Sequence, residues 1–230
     1  MRVNSKKKSS FSLTYLAIII LILIILLFII MNRNAENMNP VKSRIDLWND
    51  SDLTGWVFFL DDSAAISDTV FTVADNVIRI GGQPFGYMRT MEEYGGYDLH
   101  VEWRWPEEAG NSGVFLNIAG EDMRWPMTIE CQLMSGNAGD LVFLGGSDAT
   151  ERVDKSKRVI PKYEESSENP PGKWNTYDIH SRNDSIIVFV NGVLQNACST
   201  PFPVKGYIGL QSEGAPIEFR NVYLLYASYN

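Results

Sequence analysis

The sequence is poor in the residues that build metal clusters and redox centres. Its 230 residues include two cysteines, Cys131 and Cys198, and two histidines, His100 and His180. No Cys-x-x-Cys pair occurs, which argues against a Cys/His zinc site. Cys131 lies on the apolar side of an alternating run, where a free buried thiol is ordinary. A single disulfide is the alternative in an oxidising compartment. Both histidines fall in strand-like runs and read as structural or solvent-facing. A P-loop, a G-x-G-x-x-G turn and a Ser/His/Asp set are absent as well, so the usual signatures of phosphate binding and serine-type catalysis are missing. Positive charge is scarce. The chain carries −8 overall; residues 1–40 hold five basic residues and one acid, a balance of +4, which leaves −12 for residues 41–230. An acidic domain argues against nucleic acid as partner and suits a neutral or sugar-like ligand, or a metal. Sustained helical periodicity is also missing from residues 41–230.

What is present begins with an uncharged run of 21 residues, Phe11 to Met31, long enough to cross a hydrocarbon core. Arg2, Lys6, Lys7 and Lys8 precede it. The positive-inside rule then leaves the N-terminus in the cytoplasm and the rest periplasmic or extracellular, on a single-pass anchor. A cleaved signal peptide is the rival reading, but it usually has a shorter apolar region and ends in small residues. This run ends in Ile29-Ile30-Met31-Asn32-Arg33. The expected organisation is a basic tail at 1–10, a membrane helix at 11–31, a polar linker at 32–44 and one domain at 45–230.

That domain reads as short strands and turns. In Tyr94–Trp105, Leu99, Val101, Trp103 and Trp105 take one face and His100, Glu102 and Arg104 the other, because strand side chains alternate. Thr69–Gly82 reads as two strands around Ala74-Asp75-Asn76. Val114, Leu116 and Ile118 are expected inward, with Phe115 and Asn117 outward. Ser147–Lys173 reads as a long surface loop. Asn191-Gly192 is the strongest hairpin signal. Many short strands with turns between them indicate an all-β sandwich or jelly roll.

The richest stretch is Trp125–Gly146. Ile129, Cys131 and Leu133 point one way; Thr128, Glu130 and Gln132 point the other, followed by a turn rich in Gly, Asn and Asp. If outward strand faces combine into one concave sheet, Glu102, Arg104, Phe115, Asn117, Glu130, Gln132, Gln211 and Glu213 share it. Arg79 joins them if Ile78 and Ile80 face the core. Paired carboxyl groups suit glycosidic cleavage, one as acid and one as base or nucleophile. Trp125 and Phe115 offer stacking surfaces for a sugar. The plainer alternative is a solvated face with a Glu102–Arg104 ion pair.

The segments LWNDSDLTGW, GGQPFGYMRT, YDLHVEWRWP and GNSGVFLNI resemble, in order, the 3-keto-disaccharide hydrolase domain family. WPMTIECQLMSGNAGDL, GKWNTYDIHSR, VNGVLQN and GLQSEGAPIEFRNVYL continue the match over about residues 45–227. The resemblance implies a concanavalin A-like jelly roll that cleaves 3-keto-disaccharides or related 3-keto-glycosides after removal of the C2 proton. By motif position it implies Glu130 as the catalytic group, with Glu213 where relatives carry histidine. Gln132, Glu102, Arg104, Asn117, Trp125, Gln211, Arg79 and Phe115 are then substrate-binding candidates. A divalent metal or cationic donors would stabilise the enolate. No metal ligand and no cofactor is assigned. The alternative of another class is a lectin-like carbohydrate-binding module without catalysis.

Overall fold

The computed structural model describes residues 41–228, and residues 42–226 form one compact unit. The predicted tail at 1–10 and membrane helix at 11–31 lie outside the described residues. Among the described residues no helix is long and apolar enough to cross a membrane.

In chain order the strands are β1 (Val41–Asp46), β2 (Trp56–Leu60), β3 (Phe71–Ala74), β4 (Val77–Ile80), β5 (Gly86–Thr90), β6 (Tyr94–Gly95), β7 (Tyr97–Arg104) and β8 (Gly113–Ala119). They continue with β9 (Met127–Gln132), β10 (Leu141–Leu144), β11 (Val159–Ile160), β12 (Asn175–Ser181), β13 (Ser185–Val190), β14 (Val193–Ser199), β15 (Lys205–Ser212) and β16 (Ile217–Ser228). One short helix, α1 (Ser67–Val70), precedes β3. β1 begins inside the segment expected as linker and pairs with β16.

The strands form two antiparallel sheets. The first runs β14-β13-β12-β7-β16-β4-β3, with β1 on β16; the second runs β11-β10-β9-β8-β15-β5-β2, with β6 on β15. The result is an all-β sandwich of jelly-roll kind. Period-2 alternation explains why it closes: Leu99, Val101 and Trp103 of β7 and Ile129 and Cys131 of β9 are all buried in the inter-sheet core. Cys131 and Cys198 are free buried thiols. The turns follow backbone chemistry. Asp75 and Asn76 both sit at φ +55°, and Asn191-Gly192 at +50° and +78°, as a two-residue hairpin of type I′ requires.

The second sheet has a further apolar cluster on its outer face. Tyr87, Phe115, Ile118, Val142 and Leu144 are buried there, with Phe59, Trp125 and Tyr207 packed on them. Two expectations fail at the bulge in β8. The register to β9 shifts between Leu116 and Ala119, and Asn117 takes φ +56°. A bulge inserts a residue and reverses the faces beyond it. Ile118 therefore joins the outer cluster, and Asn117 turns inward to full burial. Its Oδ1 accepts from the Tyr97 hydroxyl at 3.0 Å and its Nδ2 donates to the Pro203 carbonyl at 3.0 Å. Asn117 is thus a structural residue and is not presented to a ligand. Asn117→Ala removes both bonds and a residue that tolerates left-handed backbone. We expect a loss of about 2–4 kcal/mol, read as a lowered urea midpoint with unchanged slope.

Candidate functional site

The outer face of the second sheet gathers a carboxyl pair. Antiparallel register sets Glu130 opposite Phe115 and Val142, so these three share the outer face. Asn111 and Gly113 precede Phe115 at the same alternation, and Asn111 bridges to Glu213. Gln211 pairs with Tyr87 across β15 and β5. Glu130, Gln211, Glu213, Tyr87 and Phe115 therefore converge on one patch. Glycine at 113 is what opens it. A Cβ there would lie 2.2 Å from Glu130 Oε1 and 2.8 Å from its Cδ, so the carboxyl group lies over the bare glycine.

Glu130 is 3% exposed, and its Oε1 has no hydrogen-bond partner. Gln211 Oε1 and Asn111 Oδ1 are also buried without a partner. Buried polar atoms are normally paired, because leaving one unsatisfied costs about 1–3 kcal/mol. Three such acceptors on one patch mark a place prepared for donors from a ligand. Burial, and secondarily repulsion from Glu213, pushes the Glu130 carboxyl up to about 8, while the Arg158 charge opposes the rise. Burial also raises Glu213, against a hydrogen bond from Gln211 and the charges of Arg158 and Arg124. At neutral pH Glu130 holds its proton.

Aromatic and charged walls flank the pair. Phe85 and Trp125 lie with ring centroids 6.5 Å apart. Arg124 sits 4.6 Å over Phe85 and 3.1 Å from Asp61 Oδ2. Behind them, Tyr87 donates to Asp122 Oδ1 at 2.8 Å, and Arg89 grips both Asp122 oxygens at 2.7 and 2.8 Å. That guanidinium holds Asp122 below the usual carboxylate range.

The structure thus brings together Glu130, Glu213, Gln211, Phe115 and Trp125 from among the sequence candidates. Gln132 is on the same face, but its Oε1 accepts from the backbone N–H groups of Leu133 and Met134, each at 2.9 Å, capping the turn. Arg79, Glu102 and Arg104 do not share the face. Ile78 and Ile80 do face the core, but β4 and β7 belong to the first sheet, whose outward side is the opposite broad face of the sandwich. There Glu218 takes Arg79 at 3.0 Å and Arg104 at 2.6 Å, and Arg220 bonds Glu102 at 2.7 Å. The Glu102–Arg104 pairing foreseen as the plainer alternative is replaced by these cross-strand partners. Trp174 lies under Arg104 and Arg220, at 4.6 and 4.0 Å.

Sequence reading missed Tyr87, Phe85, Asn111, Gly113, Arg124 and Arg158. Alternation within β5 places Tyr87 and Arg89 on one face and could have found the first. Nothing local marks Arg158. Among the described residues no group of three or more His, Cys, Asp or Glu side chains is gathered to hold a metal ion.

A two-sheet sandwich with a carboxyl pair and aromatic walls on one face is the arrangement of a carbohydrate-active protein. The fold agrees with solved structures. A protein from Parabacteroides distasonis ATCC 8503, provisionally named a glycosyl hydrolase, superposes with TM-score 0.58 at 19% identity, over 79% of this chain and 92% of that one. A Bacillus licheniformis beta-glucanase gives 0.53 at 15%, over 81% and 98%. The carbohydrate-binding module CBM66 from Bacillus subtilis gives 0.52 at 10%, over 74% and 94%. These likenesses show a concanavalin A-like jelly roll. No curated protein sequence matches the chain. The profile of the family described as the 3-keto-alpha-glucoside-1,2-lyase-like domain matches residues 43–225, and the chain belongs to that family. At this level it is a carbohydrate-active domain of glycosidase type, a hydrolase or a binder.

Proposed function

We propose that the domain cleaves glycosides whose sugar is oxidised at C3, with Glu130 as the acid and Glu213 as the base. The observation that carries the reading is the buried, proton-holding Glu130 carboxyl with its unpartnered oxygen beside a second, less buried carboxyl. Burial raises both carboxyl groups, and the more deeply buried Glu130 is the one suited to hold the proton. The 3-keto group acidifies the C2 proton. Glu213 takes that proton, and the C2–H electron pair moves to C2 while the charge develops on the carbonyl oxygen. The enolate then expels the C1 substituent, forming the C1–C2 double bond. Glu130 gives its proton to the departing oxygen. Water added across that double bond completes a net hydrolysis. Phe85 and Trp125, both half-buried, supply apolar surface for sugar faces, whereas Phe115, expected as a second stacking surface, is fully buried and backs the patch from below. The lyase named in the family description is the elimination half of this sequence. The 21-residue uncharged run and its preceding lysines support a membrane-anchored domain facing the periplasm or exterior.

The pH dependence follows from the two roles. Glu130 must be protonated, so turnover is present below about 8 and falls as pH rises through that value. Glu213 must be ionised, so turnover also falls as pH drops through its raised range. A bell-shaped kcat/KM profile with an alkaline limb near pH 8 is expected. A profile flat from pH 6 to 10 removes Glu130 as the acid.

The test of the function itself is a panel of 3-keto-disaccharides and the matching unoxidised sugars, followed by release of the departing sugar. Release from the oxidised members alone supports the proposal. Release from unoxidised sugars indicates an ordinary two-carboxylate glycosidase. Binding seen by calorimetry without any release indicates a lectin-like module.

A further inference from the structure

The outer face of the first sheet carries a cavity of about 340 Å³, on the broad face away from Glu130 and Glu213. Antiparallel register explains what lines it. Across β16, β7, β12 and β13 one row reads Tyr223, His100, Asp178 and Phe189. The next row reads Leu225, Asp98, His180 and Ile187. Acid and imidazole therefore alternate over the two middle strands, and aromatic or aliphatic side chains flank them on both sides. His100 and His180 are the two histidines of the whole chain, and both line this cavity. Its volume is in the range of small-ligand sites, which combine apolar walls with a few placed polar groups.

Each histidine is oriented by the carboxylate opposite. His100 Nδ1 lies 2.7 Å from Asp178 Oδ1, and His180 Nδ1 lies 2.7 Å from Asp98 Oδ1. A carboxylate only accepts, so Nδ1 carries the hydrogen; in the uncharged ring Nε2 is then left as an acceptor. His100 stacks on Tyr223 with centroids 4.8 Å apart, and His180 meets Phe189 edge to face at 5.6 Å. Ring contact and carboxylate together fix both imidazoles. Among the described residues neither His180 Nε2 nor Asp178 Oδ2 makes a hydrogen bond. Both side chains are open to solvent, at 39% and 46%, and they stand two residues apart on one face of β12. The neighbouring charges are mostly paired. Asp98 also takes Arg182, Glu102 takes Arg220, and Arg44, paired with Asp46, lies 3.8 Å over the Tyr223 ring. The cavity thus offers open acceptors beside apolar walls rather than a field of one sign. A neutral sugar matches both, with hydroxyl donors on its rim and C–H groups on its faces.

We propose that this cavity is a second, non-catalytic carbohydrate site that holds a neutral, unoxidised oligosaccharide. Asp178 and His180 accept from sugar hydroxyls, and the half-buried Phe189 packs on the ring. The proposal does not rest on the 3-keto reading, since nothing here requires a carbonyl. A sugar bound here leaves unchanged, because the carboxyl pair belongs to the other sheet, across the core of the sandwich.

The test follows the imidazole nitrogens of the full chain by NMR at fixed pH while neutral cello-, malto- and laminari-oligosaccharides are added. With two histidines in the chain, both in this cavity, the signals report this site and not the carboxyl pair. A saturable shift of both imidazoles by at least one of these sugars is expected, at about millimolar concentration. Phe189→Ala weakens that binding about tenfold by removing apolar contact. Asp178→Asn weakens it by a similar factor, because an amide N–H then faces the hydroxyl in place of an acceptor. Imidazoles left unmoved by every neutral sugar overturn the proposal. Unchanged binding in whichever of the two variants folds overturns it too, as does a response to glucosamine or glucuronic acid with none to the neutral sugars. If the wild type cleaves no 3-keto sugar while the imidazoles respond as expected, the substrate reading fails and this site stands.

Discussion

Glu130→Gln loses cleavage of 3-keto-glycosides by about a thousandfold or more, and the folded protein becomes more stable. The two effects have one cause. The native state holds the Glu130 carboxyl in a place that opposes its charge, because it is buried and faces Glu213. An unfolded chain ionises this group near 4.5, while the folded one waits until about 8. Below 4.5 both states carry the proton and the group costs nothing extra. Between these values only the folded state keeps it, so stability falls as pH rises; above about 8 the full penalty is present. Each unit of displacement is worth about 1.4 kcal/mol, so the amide variant gains up to several kcal/mol at pH 9 and little at pH 4. Urea unfolding at both pH values, with turnover measured alongside, checks both halves. A variant that keeps its activity, or that is no more stable at pH 9, removes Glu130 from the role given to it.

Gly113→Ala is the second large effect, and it separates activity from folding in another way. The added Cβ would meet Glu130 Oε1 at 2.2 Å and Cγ and Cδ at 2.8 Å. Contacts that close do not persist, so one side must give way. The side chain of Glu130 is the softer partner, and its carboxyl end swings off Gly113 and away from Gln211 and Glu213. β8 is otherwise undisturbed, so stability changes by about 1–2 kcal/mol at most. A misplaced acid costs about a hundredfold or more in kcat. Steady-state kinetics and a urea midpoint on the same preparation give the comparison. A fully active alanine variant would show that the carboxyl group works equally well elsewhere.

Much of the fold was legible because strand side chains alternate. The faces of β7 and β9 read correctly from residues such as Leu99 against His100 and Ile129 against Glu130, since a period of two needs no long-range information. The turns at Asp75-Asn76 and Asn191-Gly192 were legible for the same local reason: their backbones need residues that accept positive φ. The assignment of strands to sheets was not. β7 lies between β12 and β16, both far along the chain, and β8 pairs with distant β15 as well as with its sequence neighbour β9. Arg79, Glu102 and Arg104 therefore fell on the wrong face, although each was correctly read as pointing outward. The bulge at Asn117 was hidden too, because an inserted residue shows no signature until the neighbouring register is known. Gln132 was read as a ligand group, but the turn after β9 uses its Oε1 as a cap.

The most direct test is to run the cleavage of a 3-keto-disaccharide in heavy water and follow hydrogen at C2 of the released 3-keto sugar by NMR. Elimination followed by water addition breaks the C2–H bond and rebuilds it from solvent. One deuterium at C2 per turnover, above the slow background of the ketone alone, is the predicted result. Release of the sugar with its original C2 hydrogen retained would contradict proton abstraction and place the chemistry at C1 alone.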